Sequence, residues 1–418
     1  MNLATPKDLV LSKVGEGKFN SALWPSSTQE DWKYNKIEQF YSQKFAIDHN
    51  IDFEDLALIA QSAQSNLCGS QSCVHLFFVN GRLNEELNLP ALQRLAQLGV
   101  QIDEYSSDSL KDSKSSPSGM QFVNELMNPS ALKINFSKKA DDQLILQMLF
   151  LTDSKHATAI FPNLEIICEA GARAQVIESH CAVNSSANAG EWRNTKVLVH
   201  VKERAKLTYI IDQDLDHNSF QFHGLSADIA DNGALDVFTL SRGAHMARFD
   251  LVANVGQNAS ANFFGLNFLN GSQKAYHQTK VVHLKPEGIS EQLYKSVLDA
   301  KSQLAFAGKI RIEQDAQRVL SKQYIKSMLL SSEAEVDAKP ALEIFADDVK
   351  ANHGATVGQL DESQVFYLQS RGINKAAAQA LVAKGFYFDV IEKLSSSDLK
   401  GFVRKTVESQ LNKRTQNE

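Results

Sequence analysis

The chain has 418 residues, 43% of them apolar, and a formal net charge of -6. Length and apolar content allow a large core and about two to three domains, while the mild acidity argues against the electrostatic footprint of a nucleic-acid binder, which needs a clustered basic face. No apolar run approaches the ~20 residues of a membrane-spanning helix, and Met1 to Val10 lacks the apolar centre of a signal peptide, so a soluble, cytoplasmic protein is expected.

In chain order, Ser27 and Glu30 fit a capping box ahead of a helical stretch in which Trp32, Tyr34, Ile37, Phe40 and Tyr41 form an aromatic stripe suited to packing. His75 to Val79 reads as a buried strand stopped by the turn dipeptide Asn80-Gly81, and Ala91 to Leu98 as a helix ended by Gly99. From Tyr105 to Gly119 the composition is that of a serine-rich linker. From about Ala131 to Val349 the texture becomes strand upon strand. Lys196 to Lys202 alternates clearly, and further strands fit Leu207–Asp212, Leu235–Leu240, Arg248–Asn254, Ala261–Leu269, Lys280–Leu284 and Lys309–Glu313. Small or polar turns recur between them, with Ala172, Ala205, Ala234 and Ala259 at irregular spacings of 33, 29 and 25 residues. Such repetition favours a β-solenoid, with a two-sheet sandwich as the competitor that sequence alone does not separate.

Near the end, Leu342, Ile344 and Ala346 alternate with Glu343, Phe345 and Asp347, the period of a strand packed on one face, and Pro340 suits its first position. The spacing turns helical after Gly358, so His353, beside Gly354, reads as a turn residue at the change-over. Asn374 fits an N-cap and Gly385 a helix stop, followed by a last amphipathic helix over Leu399 to Leu411.

Several chemistries are weakened by spacing. Cys68 and Cys73 could supply half of a zinc site, but Cys168 and Cys181 do not form the second pair, and four cysteines at this length are not a disulfide framework. His277 and His283 lie too far apart along a strand to share an ion. Asp212, Asp214 and Asp216 open like a calcium loop, but His217 and His223 stand where glycine and glutamate are required. Neither Gly17-Lys18 nor Gly308-Lys309 completes a phosphate loop, so ATP chemistry, if involved, belongs to another subunit.

The stretch Lys339-Pro340 through Leu342-Glu343-Ile344, Ala346-Asp347-Asp348-Val349-Lys350 and His353-Gly354-Ala355-Thr356-Val357-Gly358-Gln359-Leu360, continued by Phe366-Tyr367-Leu368 and Ser370-Arg371-Gly372-Ile373, resembles the SufD branch of the SufB/SufD family of iron-sulfur cluster assembly proteins. Glu291 to Val297, Phe306 to Ile310, Glu30 to Tyr34 and Phe78 to Arg82 carry the resemblance across most of the chain. Gly354 favours the SufD branch, since SufB more often has glutamate there.

The resemblance implies a mainly β protein: a right-handed parallel β-helix core over 126–355, an N-terminal mostly helical region over 1–125, and a C-terminal helical domain over 356–418. It implies a non-catalytic scaffold that pairs with SufB and docks the SufC ATPase, with a homodimer possible when SufB is absent. Leu342, Ile344, Ala346 and Val349 would lie on the SufB side, and Phe366, Tyr367, Arg371 and Phe386 on the SufC side. No cofactor would be bound permanently; a transient iron-sulfur cluster would form at the partner junction, with His353 as a possible iron ligand. Many relatives have cysteine where Ala351 stands, so a thiolate there must come from the partner. Two other readings remain open: a purely structural partner without a cluster ligand, and a polysaccharide-cleaving β-helix using Asp347, Asp348 or the Asp212 group.

Overall fold

The computed structural model describes residues 3–15, 19, 24–47, 63–106, 119–153, 157–183 and 190–416. The serine-rich linker expected between Tyr105 and Gly119 lies, apart from its ends, outside them. The first part comprises helices α1 (Pro6–Val14) and α2 (Glu38–Tyr41), strands β1 (Cys73–Val79) and β2 (Arg82–Leu83), helix α3 (Glu85–Gln97), strand β3 (Val100–Ser106) and helix α4 (Met120–Met127). A long run of strands follows: β4 (Ser130–Phe136), β5 (Ile145–Asp153), β6 (Thr158–Ile160), β7 (Asn163–Cys168), β8 (Arg173–Val183), β9 (Glu191–Val201), β10 (Lys206–Asp214) and β11 (Phe220–Ile229). It continues through β12 (Ala234–Ser241), β13 (Met246–Val255), β14 (Ser260–Leu269), β15 (Lys274–His283), β16 (Ile289–Leu298), β17 (Gln303–Ile312), β18 (Val319–Leu329), β19 (Glu335–Ile344) and β20 (Val349–Gln359). Helices α5 (Glu362–Gln369), α6 (Lys375–Ile391) and α7 (Ser397–Gln416) close the chain.

From β8 onward, successive strands alternate between two sheets and each pairs in parallel with the strand two places on, ending at β20 in one sheet and β19 in the other. That connectivity is a parallel β-helix and rules out the antiparallel sandwich. In-register stacking explains its stability, because each inward side chain rests on its counterpart one coil away. Val199, Ala227, Ala253, Val281, Ile310 and Leu342 form one such column across β9 to β19.

The turns repeat as well. Gly171, Arg204, Asn232, Asn258, Glu287 and Arg318 all have positive φ, between 50° and 75°. The N–H of each donates to a turn carbonyl of the next coil, the series ending at Arg318 N–H to Asp348 O. Ala172, Ala205 and Ala259 are buried in these turns as expected. Ala234 is not their equivalent: it is in register with Lys206 inside a strand, and Gly233 takes the turn position.

The N-terminal region covers the outer face of one sheet, where Trp32, Ile37 and Phe40 pack on Trp192, Phe220 and Phe222. The stripe expected there is a packing surface, except that Tyr34 is exposed. Among its described residues the region also carries strands: β1 extends one sheet by pairing in parallel with β5 and β3 extends the other by pairing antiparallel with β4. Helix α3 packs against β1 and β3, and its Leu95 joins the core of the first coils.

Helices α6 and α7 cover the outer face of the other sheet, placing Tyr387, Val390, Leu394, Phe402 and Val403 on Phe238, Phe264 and Phe268. Asn374 caps α6 as expected, its Oδ1 accepting the Ala377 N–H at 2.8 Å. Gly385 does not stop the helix, which runs on to Ile391. Burial of Tyr387, Val390 and Ile391 outweighs the ~1 kcal/mol helix penalty of one glycine.

Candidate functional site

The two ends of the β-helix differ. At the start, α3 packs over the first coils, whereas β19 and β20 are the terminal strands of their sheets and among the described residues no strand pairs with their outer edges. Every second backbone N–H and C=O along such an edge faces outward, which is a template for another strand.

The side chains of this last coil divide by face. Leu342 and Ile344 lie in register with buried Ile310 and Ile312, so they close the end of the core, and Ile344 remains 40% exposed because none of the described residues covers it. Ala346 is buried among Ile310, Ile312 and Val319, with Leu342, Val349 and Ala351 packed around that cluster. On the outer side Glu343 pairs with Lys309 at 2.7 Å, and the Arg311 guanidinium lies 4.9 Å from the centre of the exposed Phe345 ring. Of the four residues expected at a partner junction, Ile344 is thus an exposed contact, Leu342 and Val349 are half-buried, and Ala346 is a core residue beneath them.

His353 is not in a turn. It sits in the middle of β20, in register with Gln323. Parallel pairing keeps registered residues on one face. Gln323 is fully buried inside the β-helix, while on the outer face a Cβ at Gly354 would meet the Tyr324 ring at 3.4 Å. The His353 side chain therefore belongs to the inner face, at the open mouth, and is exposed because among the described residues no further coil lies over it. The expected change to helix also comes later, since β20 extends through Gln359 and α5 starts at Glu362 behind its N-cap Asp361.

A second uncovered surface lies on the C-terminal helices. Phe366 and Tyr367 of α5 are 72% and 59% exposed, and Arg371 stacks over Tyr367 at 5.4 Å. Tyr367, Leu368, Leu381, Val382 and Phe386, together with Met328, line a shallow groove there. Phe386 differs from the other three residues expected on this side: it is half-buried, its ring under the Lys295 ammonium and its carbonyl accepting from Lys295 Nζ at 2.7 Å. It anchors α6 to β16, and Leu381 and Phe388, whose helical spacing suits core-facing positions, are instead exposed and add apolar surface.

Inside the β-helix, Glu178, His180 and His223 bring three potential metal-ligand atoms within 4.8 Å of one another, all fully buried. Their hydrogen bonds identify a different arrangement. Arg193 Nη1 donates to His180 Nδ1 at 2.9 Å, and because arginine only donates, Nδ1 is an acceptor and the ring's proton sits on Nε2. That Nε2–H donates to Glu178 Oε1 at 2.7 Å, while Tyr209 Oη and His223 Nε2 meet Oε2 at 2.6 and 2.9 Å. Burial pushes the His180 pKa down to about 4, so it is neutral at pH 7. Burial works against ionisation of Glu178, but the two histidines outweigh it and hold the carboxyl well below its usual range. The His180 nitrogen nearest Glu178 thus carries a proton rather than a free lone pair, and the group is a buried proton-sharing network.

The remaining sequence candidates are structural. His277 and His283 point to separate partners, Asn267 Oδ1 at 2.7 Å and Ser290 Oγ at 2.9 Å. Asp212 holds Arg242 through both carboxylate oxygens, with Asp214 also bound to Arg242 at 2.9 Å. Cys68 and Cys73 are buried free thiols. Asp347 and Asp348 are exposed in the turn between β19 and β20.

The profile of the family described as SUF system FeS cluster assembly, SufBD core domain, matches residues 150–386. The chain is 24% identical over 397 residues to an iron-sulfur cluster assembly SufBD family protein of Synechocystis sp., spanning 92% of this chain and 86% of the relative. It is 28% identical over 388 residues to the iron-sulfur cluster assembly protein SufD of Escherichia coli, spanning 90% and 86%. Over 261 residues it is 28% identical to the chloroplastic protein ABCI7 of Arabidopsis thaliana, spanning 62% of this chain and 54% of that one.

Proposed function

The chain belongs to the SufBD core family of the SUF iron-sulfur cluster assembly system, and on that premise we propose that it is a SufD-type scaffold subunit that pairs with SufB through its last coil and docks SufC through its C-terminal helices. The observation that carries the pairing is the uncovered end of the β-helix, where β19 and β20 each offer an unpaired edge around the exposed Ile344, Phe345 and Val357. Strand addition there would continue both sheets into a partner of the same fold. With SufB absent, the same edges could pair with a second copy of this chain.

The nascent iron-sulfur cluster is the cargo of this junction, held only in passing. His353 stands at the mouth with its imidazole available as an iron ligand, and Ala351, the neighbouring inward residue, supplies no thiolate, so sulfur ligation falls to SufB. ATP is bound and hydrolysed by SufC, for which Phe366, Tyr367 and Arg371, with the half-buried Phe386 as anchor, form the docking side. A purely structural partner role is the competing reading, since His353 belongs to no group of three or more metal-ligating side chains among the described residues. The polysaccharide-cleaving reading is set aside, because Asp212 is committed to Arg242 and Asp347 and Asp348 form no facing pair in a cleft.

His353→Ala separates the two scaffold readings. Reconstituted anaerobically with SufB and SufC, the variant is expected to assemble normally and to form little or no cluster. Cluster formation equal to that of the parent would remove the ligand role and leave the structural one.

A further inference from the structure

One coil beneath His353, Gln323 is fully buried and its side-chain amide is fixed at one end. Nε2 donates to Gln292 Oε1 at 3.0 Å, and that same oxygen accepts from Thr279 Oγ1 at 2.6 Å. At the other end of the amide, Oε1 has no hydrogen-bond partner, although it is buried. Buried acceptors are rarely left unused. Gln292, Gln323 and His353 occupy one register column through β16, β18 and β20, so the inward side chain next after Gln323 is the His353 imidazole, one ~4.8 Å strand spacing away.

Space for this amide is provided from the opposite sheet. A Cβ at Gly308 would stand 2.1 Å from Gln323 Nε2 and 2.9 Å from its Cδ. The glycine in Phe306-Ala307-Gly308-Lys309-Ile310, which serves no phosphate loop, is thus explained by the side chain it admits.

We propose that Gln323 is a positioning residue for His353: the Thr279–Gln292–Gln323 chain presents Oε1 as the acceptor for one imidazole N–H and so leaves the lone pair of the other ring nitrogen free at the open mouth. This rests on the reading of His353 as a ligand. A metal-binding histidine needs its second nitrogen satisfied in this way, because the hydrogen bond selects the tautomer and fixes the ring plane. The buried acceptor would also gain a donor only when the ring turns inward, which couples ligand orientation to the mouth of the β-helix.

The test uses the full chain labelled with ¹⁵N-histidine, the His353 ring signals being identified by their loss in His353→Ala. In the parent, the ring nitrogen shifts should report one dominant tautomer. Gln323→Met, which removes the acceptor at similar volume, should return the ring to the mixed tautomers of free histidine, and Gly308→Ala, which crowds the amide, should move it the same way. In the assembly with SufB and SufC, Gln323→Met should lower iron affinity roughly tenfold or more, the usual effect of losing such a contact. Equal tautomer balance in the parent and both variants would overturn the proposal, and Gly308→Ala decides the matter alone should Gln323→Met not fold. Tautomer release by Gln323→Met alongside cluster formation that survives His353→Ala would uphold the contact while removing the ligand reading, so the two fail separately.

Discussion

Two histidine-containing groups, one buried and one at the mouth, show how differently single residues can be read. Glu178 accepts three hydrogen bonds inside the β-helix and is linked through His180 to Arg193, itself bound to Phe150 O at 3.0 Å, Thr152 Oγ1 at 2.6 Å and Glu191 at 2.8 Å. Removing the carboxylate strands the donors around it, so Glu178→Ala is expected to cost about 3–5 kcal/mol in urea unfolding. A loss below ~1 kcal/mol would mean that the network is not a stabilising one. None of this grouping was legible in the chain, because Glu178 and His180 come from β8 and His223 from β11, and only coil register brings them together. His353 was legible as a singular residue but not as a strand residue. Two glycines, Gly354 and Gly358, looked like punctuation, yet at an uncovered edge the strand keeps its pairing on one side and tolerates both.

At the scale of the element, β19 and β20 carry the account. Their alternation was visible from Leu342 to Ala346, and the helical ends were visible from Asn374 onward, because those patterns are local. That the edges lack a neighbour is a property of the whole sheet order and has no local signature. Pro340, Glu343 and Lys350 are the kind of residues that protect an edge from indiscriminate pairing, while Ile344, Phe345 and Val357 are the apolar exceptions. Ile344→Lys and Val357→Lys place charges on these exposed positions. Each is expected to stay within about 0.5–1 kcal/mol of the parent in stability and to abolish co-purification with SufB. Unchanged association would move the junction elsewhere. On α5, Phe366→Ser and Tyr367→Ser should weaken SufC capture while leaving SufB pairing intact, as read by pull-down of each partner.

Across the whole molecule, the solenoid was legible as repetition of strand and turn, since Ala172, Ala205 and Ala259 recur where the coil needs a small buried residue. The polar interior was not, because buried His180, His277 and His283 look no different in sequence from surface histidines. Burial pushes their pKa values down to about 4, 3 and 4. The unfolded chain takes up protons on these residues below pH ~6.5 that the folded chain refuses, so stability falls as the pH drops from ~6.5 to ~4, by roughly 3 kcal/mol for each such group. Glu178, whose pKa is lowered in the fold, adds a further loss below the ordinary carboxylate range. Urea midpoints measured between pH 7.5 and 4 should therefore decline throughout the acid limb, and a flat profile would contradict the neutral, buried state of these rings. No helix among the described residues is long and apolar enough to cross a membrane. The most direct test of the scaffold account is anaerobic co-purification of the full chain with SufB and SufC, followed by iron and sulfide analysis of the parent and Ile344→Lys. A scaffold subunit should give a ternary assembly that carries iron and sulfide with the parent and is lost with the variant; a parent chain that recovers neither partner, or a variant that assembles and loads equally well, would overturn that role.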